Sequence, residues 1–188
     1  MTRPKVFFNW SSGKDAAMAL YQFQQAHNPP DLLLTTLSKK YQRVTMHGLR
    51  CELLEAQANA LALPLDLIEL EDNPSMESYG QLMTSKLEKL KSKGFTQSAF
   101  GDIFLEDLKL YREKMLSKAG IKAIFPIWQR DTRELITEFI DSGFQAIIIC
   151  INAQVLPKSY CGRYIDHKFL DDLPSGVDPC GENGEFHT

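Results

Sequence analysis

The strongest constraint on how this chain can fold is the alternation of short apolar runs with stretches of helical periodicity. Residues 5–10 carry Val6, Phe7 and Phe8 in succession and read as a buried strand. A Ser/Gly turn follows, then a helix over 15–25 with Ala17, Leu20 and Tyr21 at helical spacing, stopped by Asn28-Pro29-Pro30. Strands are predicted at 32–37, 65–69, 98–100 and 145–151, and helices at 49–61, 75–93, 105–119 and 132–142. Regular β-α-β-α alternation implies an α/β fold, a parallel sheet with helices on both faces. The continuous apolar run at 146–150 is read as a strand of that sheet, buried on both sides. After Asn152 the pattern turns irregular and rich in Gly, Pro, Asp and Ser. Two units are therefore expected: an α/β domain over 1–151 and a smaller C-terminal lobe over 152–188.

Composition narrows the classes of function. The chain has 188 residues, a formal charge of −3, 44% hydrophobic and 24% charged residues, which suits a globular protein with a sizeable core. No strong basic excess marks a nucleic-acid partner. The run Lys86, Lys89, Lys91 and Lys93 reads as a solvated helix face. No apolar stretch is long enough for a membrane span, and the first residues lack the apolar core of a signal peptide. The four cysteines form no C-x-x-C pair, and Cys161, His167 and Cys180 match no zinc spacing, so a reduced, cytoplasmic protein is expected. A homodimer is the default assembly.

The first strand–turn–helix carries the main chemical signal. Ser11-Ser12-Gly13-Lys14-Asp15 lies where a strand ends and a helix begins. The first N–H groups of a helix have no intrahelical partner and the helix dipole favours negative charge, so this is an anion site. Ser11 and Ser12 add hydroxyls, Gly13 admits close backbone approach, and Lys14 supplies a cation. A plain Ser-capped helix would use the same residues. Neither a Walker A pattern nor a G-x-G-x-x-G fingerprint is present.

Ser11 to Ala16 resembles the PP-loop S-G-G-x-D-S of the adenine-nucleotide α-hydrolase-like ATP pyrophosphatases. Further segments match in order: Val44-Thr45-Met46-His47, Gly101-Asp102-Ile103, Phe125-Pro126-Ile127-Trp128, and Gly181 to Thr188, which resembles G-E-G-G-E-[FY]-x-T. Together they are similar to the diphthine–ammonia ligase (diphthamide synthase) family over nearly the whole chain. Two departures stand out: Ser12 occupies a position that is normally Gly, and Ala16 replaces the closing Ser. A negative φ would make Ser12 a mild change, and a positive φ would strain it. Members of the family continue past the last motif, so more chain is expected beyond Thr188.

The resemblance implies an adenine-nucleotide-α-hydrolase-like, Rossmann-like fold and an ATP-dependent, AMP- and pyrophosphate-forming ligase. Its substrates would be ATP, ammonia and a carboxylate, either a small molecule or a modified histidine on a protein, with Mg²⁺ as cofactor. Catalysis is expected at Asp15, Lys14, Asp102 and His47. The nucleotide would be bound by Ser11, Ser12, Gly13, Lys14, Asp15 and Gly101, with adenine near Thr36 and Leu37. Asp15 and Asp102 are the candidate Mg²⁺ ligands. Trp128, Glu106, Glu182 and Glu185 are the candidate substrate residues, with Asp107 and Arg112 close by. Each has a structural alternative: Asp15, Glu106 and Asp107 complement helix dipoles, Arg112 forms a surface ion pair, and Trp128 fills core. A non-catalytic ATP sensor and a PP-loop enzyme acting on tRNA remain as alternatives.

Overall fold

The computed structural model describes residues 3–45, 47–72 and 74–188; Met46 of the Val44–His47 segment lies outside them. In chain order the elements are β1 (Lys5–Asn9), α1 (Lys14–Ala26), β2 (Leu32–Ser38), β3 (Arg43–Val44), α2 (Cys51–Ala60), β4 (Leu65–Leu70) and α3 (Met76–Ser92). They continue with β5 (Phe95–Ala99), α4 (Glu106–Lys118), β6 (Lys122–Ile124), α5 (Thr132–Asp141), β7 (Cys150–Ile151), a 3₁₀ turn (Lys158–Tyr160), α6 (His167–Asp172) and β8 (Phe186–His187).

The main sheet runs β4-β2-β1-β5-β6, every neighbouring pair parallel, with β3 returning antiparallel against the end of β2. The fold is thus α/β as expected. From β1 the chain steps to β2 and β4 on one side, then crosses to β5 and β6 on the other. The order reverses between β1 and β5, and a crevice opens there at the C-terminal strand ends.

Alternation along β1 sorts the two cores. Val6 and Phe8 face one side with α1 (Ala16, Ala19, Leu20, Phe23), α2 (Leu54, Ala58), α5 (Leu135, Ile136, Phe139) and the buried C-terminal residues Phe169 and Phe186. Phe7 faces the other side with α3 (Met83, Leu87, Leu90) and Leu116 of α4. Buried α1 positions 16, 19, 20 and 23 make one apolar stripe, the pattern that holds a helix to a sheet. Side-chain caps fix other helix starts: Ser75 accepts the Ser78 N–H at 3.1 Å, Asp131 the Glu134 N–H at 2.9 Å, and Asp166 the Phe169 N–H at 2.7 Å.

Two expectations need correction. The segment 145–151 is not a buried strand of the parallel sheet. Only Cys150–Ile151 is strand, paired antiparallel with β8, and Ile147 and Ile149 are 41% and 43% exposed while Ile148 is fully buried. Its apolar residues therefore alternate across a one-sided ribbon. The edge position in the main sheet belongs instead to β6, a three-residue strand opened by Lys122 and too short to show a pattern. Among the lysines of α3, Lys86 bonds to Asp66 at 2.6 Å and Lys91 to the Gly120 carbonyl at 2.8 Å, so these two join elements together. No helix among the described residues is long and apolar enough to cross a membrane.

Candidate active site

A cleft of about 800 Å³ opens at the C-terminal ends of the strands. Its floor is the loop after β1, held from several directions. The Trp10 N–H donates to the Leu34 carbonyl at 2.9 Å, and the Trp10 carbonyl accepts the Thr35 hydroxyl at 2.6 Å. From α2, Gln57 accepts the Trp10 indole N–H at 3.0 Å and donates to the Ser12 carbonyl at 3.3 Å. Within this frame Ser12 has φ +72°, the left-handed region that costs an L-residue roughly 1–2 kcal/mol. Its hydroxyl turns onto the Ser11 carbonyl. Gly13 has an ordinary φ of −88°, yet a Cβ there would lie 2.9 Å from His47 Cε1 and 3.3 Å from the Thr188 carbonyl oxygen. Glycine is needed at 13 for space, whereas the backbone would favour glycine at 12.

Gly13 offers no side chain to cap α1. The Lys14 N–H instead donates to Thr188 Oγ1 at 3.0 Å, across the whole length of the sequence. Lys14 is only 5% exposed; its Nζ lies 2.9 and 2.8 Å from the two Asp15 carboxylate oxygens and 5.5 Å from the Phe186 ring centroid. Burial works against the Lys14 ammonium, but Asp15, together with the nearby Cys180 and Glu182, outweighs it and holds the pKa above the usual value. The cation of the loop is therefore shared with Asp15 rather than aimed freely into the cleft.

Opposite, β5 delivers Gly101 and Asp102. A Cβ on Gly101 would lie 3.0 Å from both N and Cα of Ala16, so the end of β5 rests directly on the first turn of α1. Asp102 pairs with Arg112 of α4, Nε to Oδ2 at 2.8 Å and Nη2 to Oδ1 at 3.2 Å, while the guanidinium lies 4.4 Å over the Phe100 ring. Burial raises the Asp102 pKa, and Arg112 opposes that rise. His47 stands between the loop and the C-terminal segment, edge-on to His187 with ring centroids 5.5 Å apart. Its buried Nδ1 has no hydrogen-bond partner among the described residues, and burial together with His187 lowers its pKa.

The Gly-rich C-terminal loop closes this wall and separates two residues expected to act together. Glu182 faces the cleft, and burial plus the nearby Asp15 push its carboxyl up to about 7, against the pull of Lys14. Glu185 is 4% exposed and does not line the cleft. It accepts N–H groups from Asp178 at 3.0 Å and Asn183 at 2.9 Å, and the Asn183 side-chain amide at 3.1 Å. The two form no paired carboxylate site, because Glu185 is enclosed by its own loop. Asp178 adds support by accepting the Cys180 N–H at 2.8 Å and the Thr132 hydroxyl at 2.8 Å. The turn requires Gly181, with φ +73° and the Phe186 carbonyl 2.8 Å from where a Cβ would be.

The cleft thus brings together Ser11, Lys14, Asp15, Thr36, His47, Gly101, Asp102 and Glu182. Leu37 is fully buried and presents no side chain to it. Glu106 and Asp107 are exposed at the start of α4, outside the cleft lining. Trp128 packs elsewhere, 5.8 Å from the Phe125 ring and beneath Lys109 Nζ at 4.4 Å. Sequence reasoning passed over Thr188 and His187, which also line the cleft; both lie inside the C-terminal motif, which was the available signal. No group of three or more His, Cys, Asp or Glu side chains among the described residues is placed to hold a metal by itself.

Comparison with known proteins bears on this arrangement. The diphthamide synthase N-terminal domain model matches residues 4–123, and the diphthamide synthase C-terminal domain model matches residues 131–188. The chain belongs to the diphthamide synthase family. Among curated relatives, the diphthine–ammonia ligases of Bos taurus and Homo sapiens are each 28% identical over 80% of this chain and 60% of their own length. That of Danio rerio is 29% identical over 62% of this chain and 47% of its own. The chain therefore spans about 60% of the length of the first two relatives it matches. Both diphthamide synthase domain matches contribute to the cleft, the first through Asp15 and Asp102, the second through Glu182 and Thr188.

Proposed function

We propose that this chain is an ATP-dependent ligase that adenylates a substrate carboxylate and transfers ammonia to it. The observation that carries the reading is the convergence, at the strand-order reversal, of the N-terminus of α1 with Asp15, Asp102, His47 and Glu182 around one cleft. The relatives' name, diphthine–ammonia ligase, supports the amide-forming direction and diphthine as the first substrate to test.

In the proposed reaction a carboxylate oxygen attacks the α-phosphorus of ATP and pyrophosphate leaves. Ammonia then attacks the acyl carbon of the adenylate and AMP departs, giving the amide. The N–H groups of Asp15 and Ala16 and the Lys14–Asp15 pair lie where the pyrophosphate charge would develop, and preorganised donors of this kind lower the barrier most. Adenine lies at the end of β2 beside Thr36, with the Leu37 backbone. Asp15 and Asp102 are the carboxylates that would hold Mg²⁺, which takes one or two carboxylates and fills its remaining positions with phosphate oxygens and water; each would share oxygens now engaged by Lys14 and Arg112. Bound there, the ion would offset phosphate charge. Glu182, with its raised pKa, can hold an ammonium group or accept its proton near neutrality. The lobe over 152–188 supplies this substrate wall.

Two observations favour a second reading, a nucleotide sensor without turnover: Ser12 is strained at φ +72° and Lys14 is already paired. Product analysis separates the two. The protein would be incubated with α-labelled ATP, Mg²⁺, ammonium and either diphthine-bearing elongation factor or a source extract, with Asp15→Ala as control. AMP and pyrophosphate, reduced at least about a hundredfold in the variant, are expected. ADP and phosphate would overturn the adenylation mechanism, and tight ATP binding without turnover would establish the sensor.

A further inference from the structure

The hydroxyl of Thr188 sits at the positive end of α1. It accepts the Lys14 N–H at 3.0 Å, so its oxygen is already an acceptor there. A threonine hydroxyl also has one hydrogen to donate. Among the hydrogen bonds of the described residues no protein acceptor takes it, and Thr188 lines the cleft. Of the other hydroxyls near the helix start, that of Ser12 is turned onto the Ser11 carbonyl and Ala16 has none, while Ser11 lines the cleft with its hydroxyl oxygen 3.5 Å from the Gly13 N–H. The Thr188 backbone is also firmly held. Phe186 is 1% exposed, the Ile149 N–H donates to the His187 carbonyl at 2.9 Å, and the missing Cβ of Gly13 leaves room for the Thr188 carbonyl.

We propose that Thr188 is an anion-binding residue of this cleft, its hydroxyl accepting from Lys14 N–H and donating to a phosphate oxygen of the bound nucleotide. The arrangement carries the positive end of the helix one hydrogen bond further into the cleft. It also makes the C-terminal segment part of the phosphate site rather than only a wall for the second substrate. This proposal rests on the nucleotide reading above.

The test is calorimetric titration of the wild-type chain, Thr188→Val and Thr188→Ser with ATP, inorganic pyrophosphate and adenosine, alongside thermal melting of each protein. Loss of one hydrogen bond to a charged oxygen is worth about a tenfold change in affinity. Thr188→Val is expected to bind ATP and pyrophosphate about tenfold more weakly, with adenosine unchanged, and Thr188→Ser to restore both. A role confined to capping α1 would lower the melting temperature of Thr188→Val while leaving ATP and pyrophosphate affinity within twofold of wild type, and that result overturns the proposal. Equal loss of adenosine and ATP in Thr188→Val, reversed in Thr188→Ser, also overturns it, because the whole cleft would then depend on the hydroxyl. If the wild-type chain binds neither ATP nor pyrophosphate, the nucleotide reading itself falls, a result separate from equal binding by wild type and variant.

Discussion

At the scale of single residues, positions 12 and 13 reverse the usual pairing of glycine with unusual backbone. Ser12 has φ +72° and keeps a side chain, whereas Gly13 has φ −88° and lacks one because His47 and Thr188 press against it. Ser12→Gly should relieve the left-handed strain, offset in part by glycine's extra freedom in the unfolded chain, for a net gain of about 0.5–1 kcal/mol. Melting should rise by about 1–3 °C. Gly13→Ala should do the opposite to function: the new methyl displaces the His47 ring, and ATP turnover should fall by about tenfold or more while melting changes little. Scanning calorimetry and turnover of the two variants check both expectations. The sequence marked the loop as a candidate anion site, because Ser, Gly and Lys stand where a strand ends and a helix begins, although a plain Ser-capped helix uses the same residues. It did not show which of the two positions is strained, since φ is set by Gln57 and Trp10 gripping the loop. Nor did it separate Glu182 from Glu185, two carboxylates of one loop whose surroundings differ only once the loop has folded.

At the scale of elements, the loop from Asp178 to Thr188 behaves as a unit built around Glu185. Burial pushes that carboxyl up, but the N–H groups it accepts outweigh burial and hold its pKa below the usual value. Both oxygens face donors, so Glu185→Gln would set an amide NH₂ against another N–H. The variant should lose about 1.5–3 kcal/mol, the worth of hydrogen bonds to a charged group. Thermal melting should show this loss, and ATP affinity should fall with it because Thr188 is carried by the same loop. Long apolar and periodic segments, β1, β2 and α5 among them, were legible in the sequence. Residues 145–151 misled because a one-sided ribbon and a buried parallel strand share the same residue types when charges are absent. β6 was invisible because three residues cannot display a period.

At the scale of the whole molecule, the cleft's ionisable groups respond to pH in opposed directions. Glu182 has a folded pKa of about 7, raised above its ordinary value of 4.5. Between those two values the folded state binds more protons than the unfolded chain, so stability falls as pH rises and this contribution is gone above pH 7. His47, lowered by burial, works the other way: its contribution is present above the ordinary histidine value of 6.5 and is lost as pH falls below it to the lowered folded value. In metal-free buffer, Glu182→Gln should flatten the fall between pH 4.5 and 7 and be more stable than wild type above it, as read by urea denaturation at several pH values. A wild-type curve that rises steadily over that window and is unchanged in the variant would show that Glu182 ionises normally.

The bond from Lys14 to Thr188 joins residues 174 positions apart. Chain closure over such a separation comes after local structure in folding, because its entropy must be overcome before the contact repays it. A chain emerging from the ribosome can lay down β1, α1 and their neighbours while the helix still lacks its cap and the cleft still lacks Glu182. On the proposed reading, the grip on a triphosphate would then form only once the loop carrying Glu182 and Thr188 has docked, later than β1 and α1 themselves.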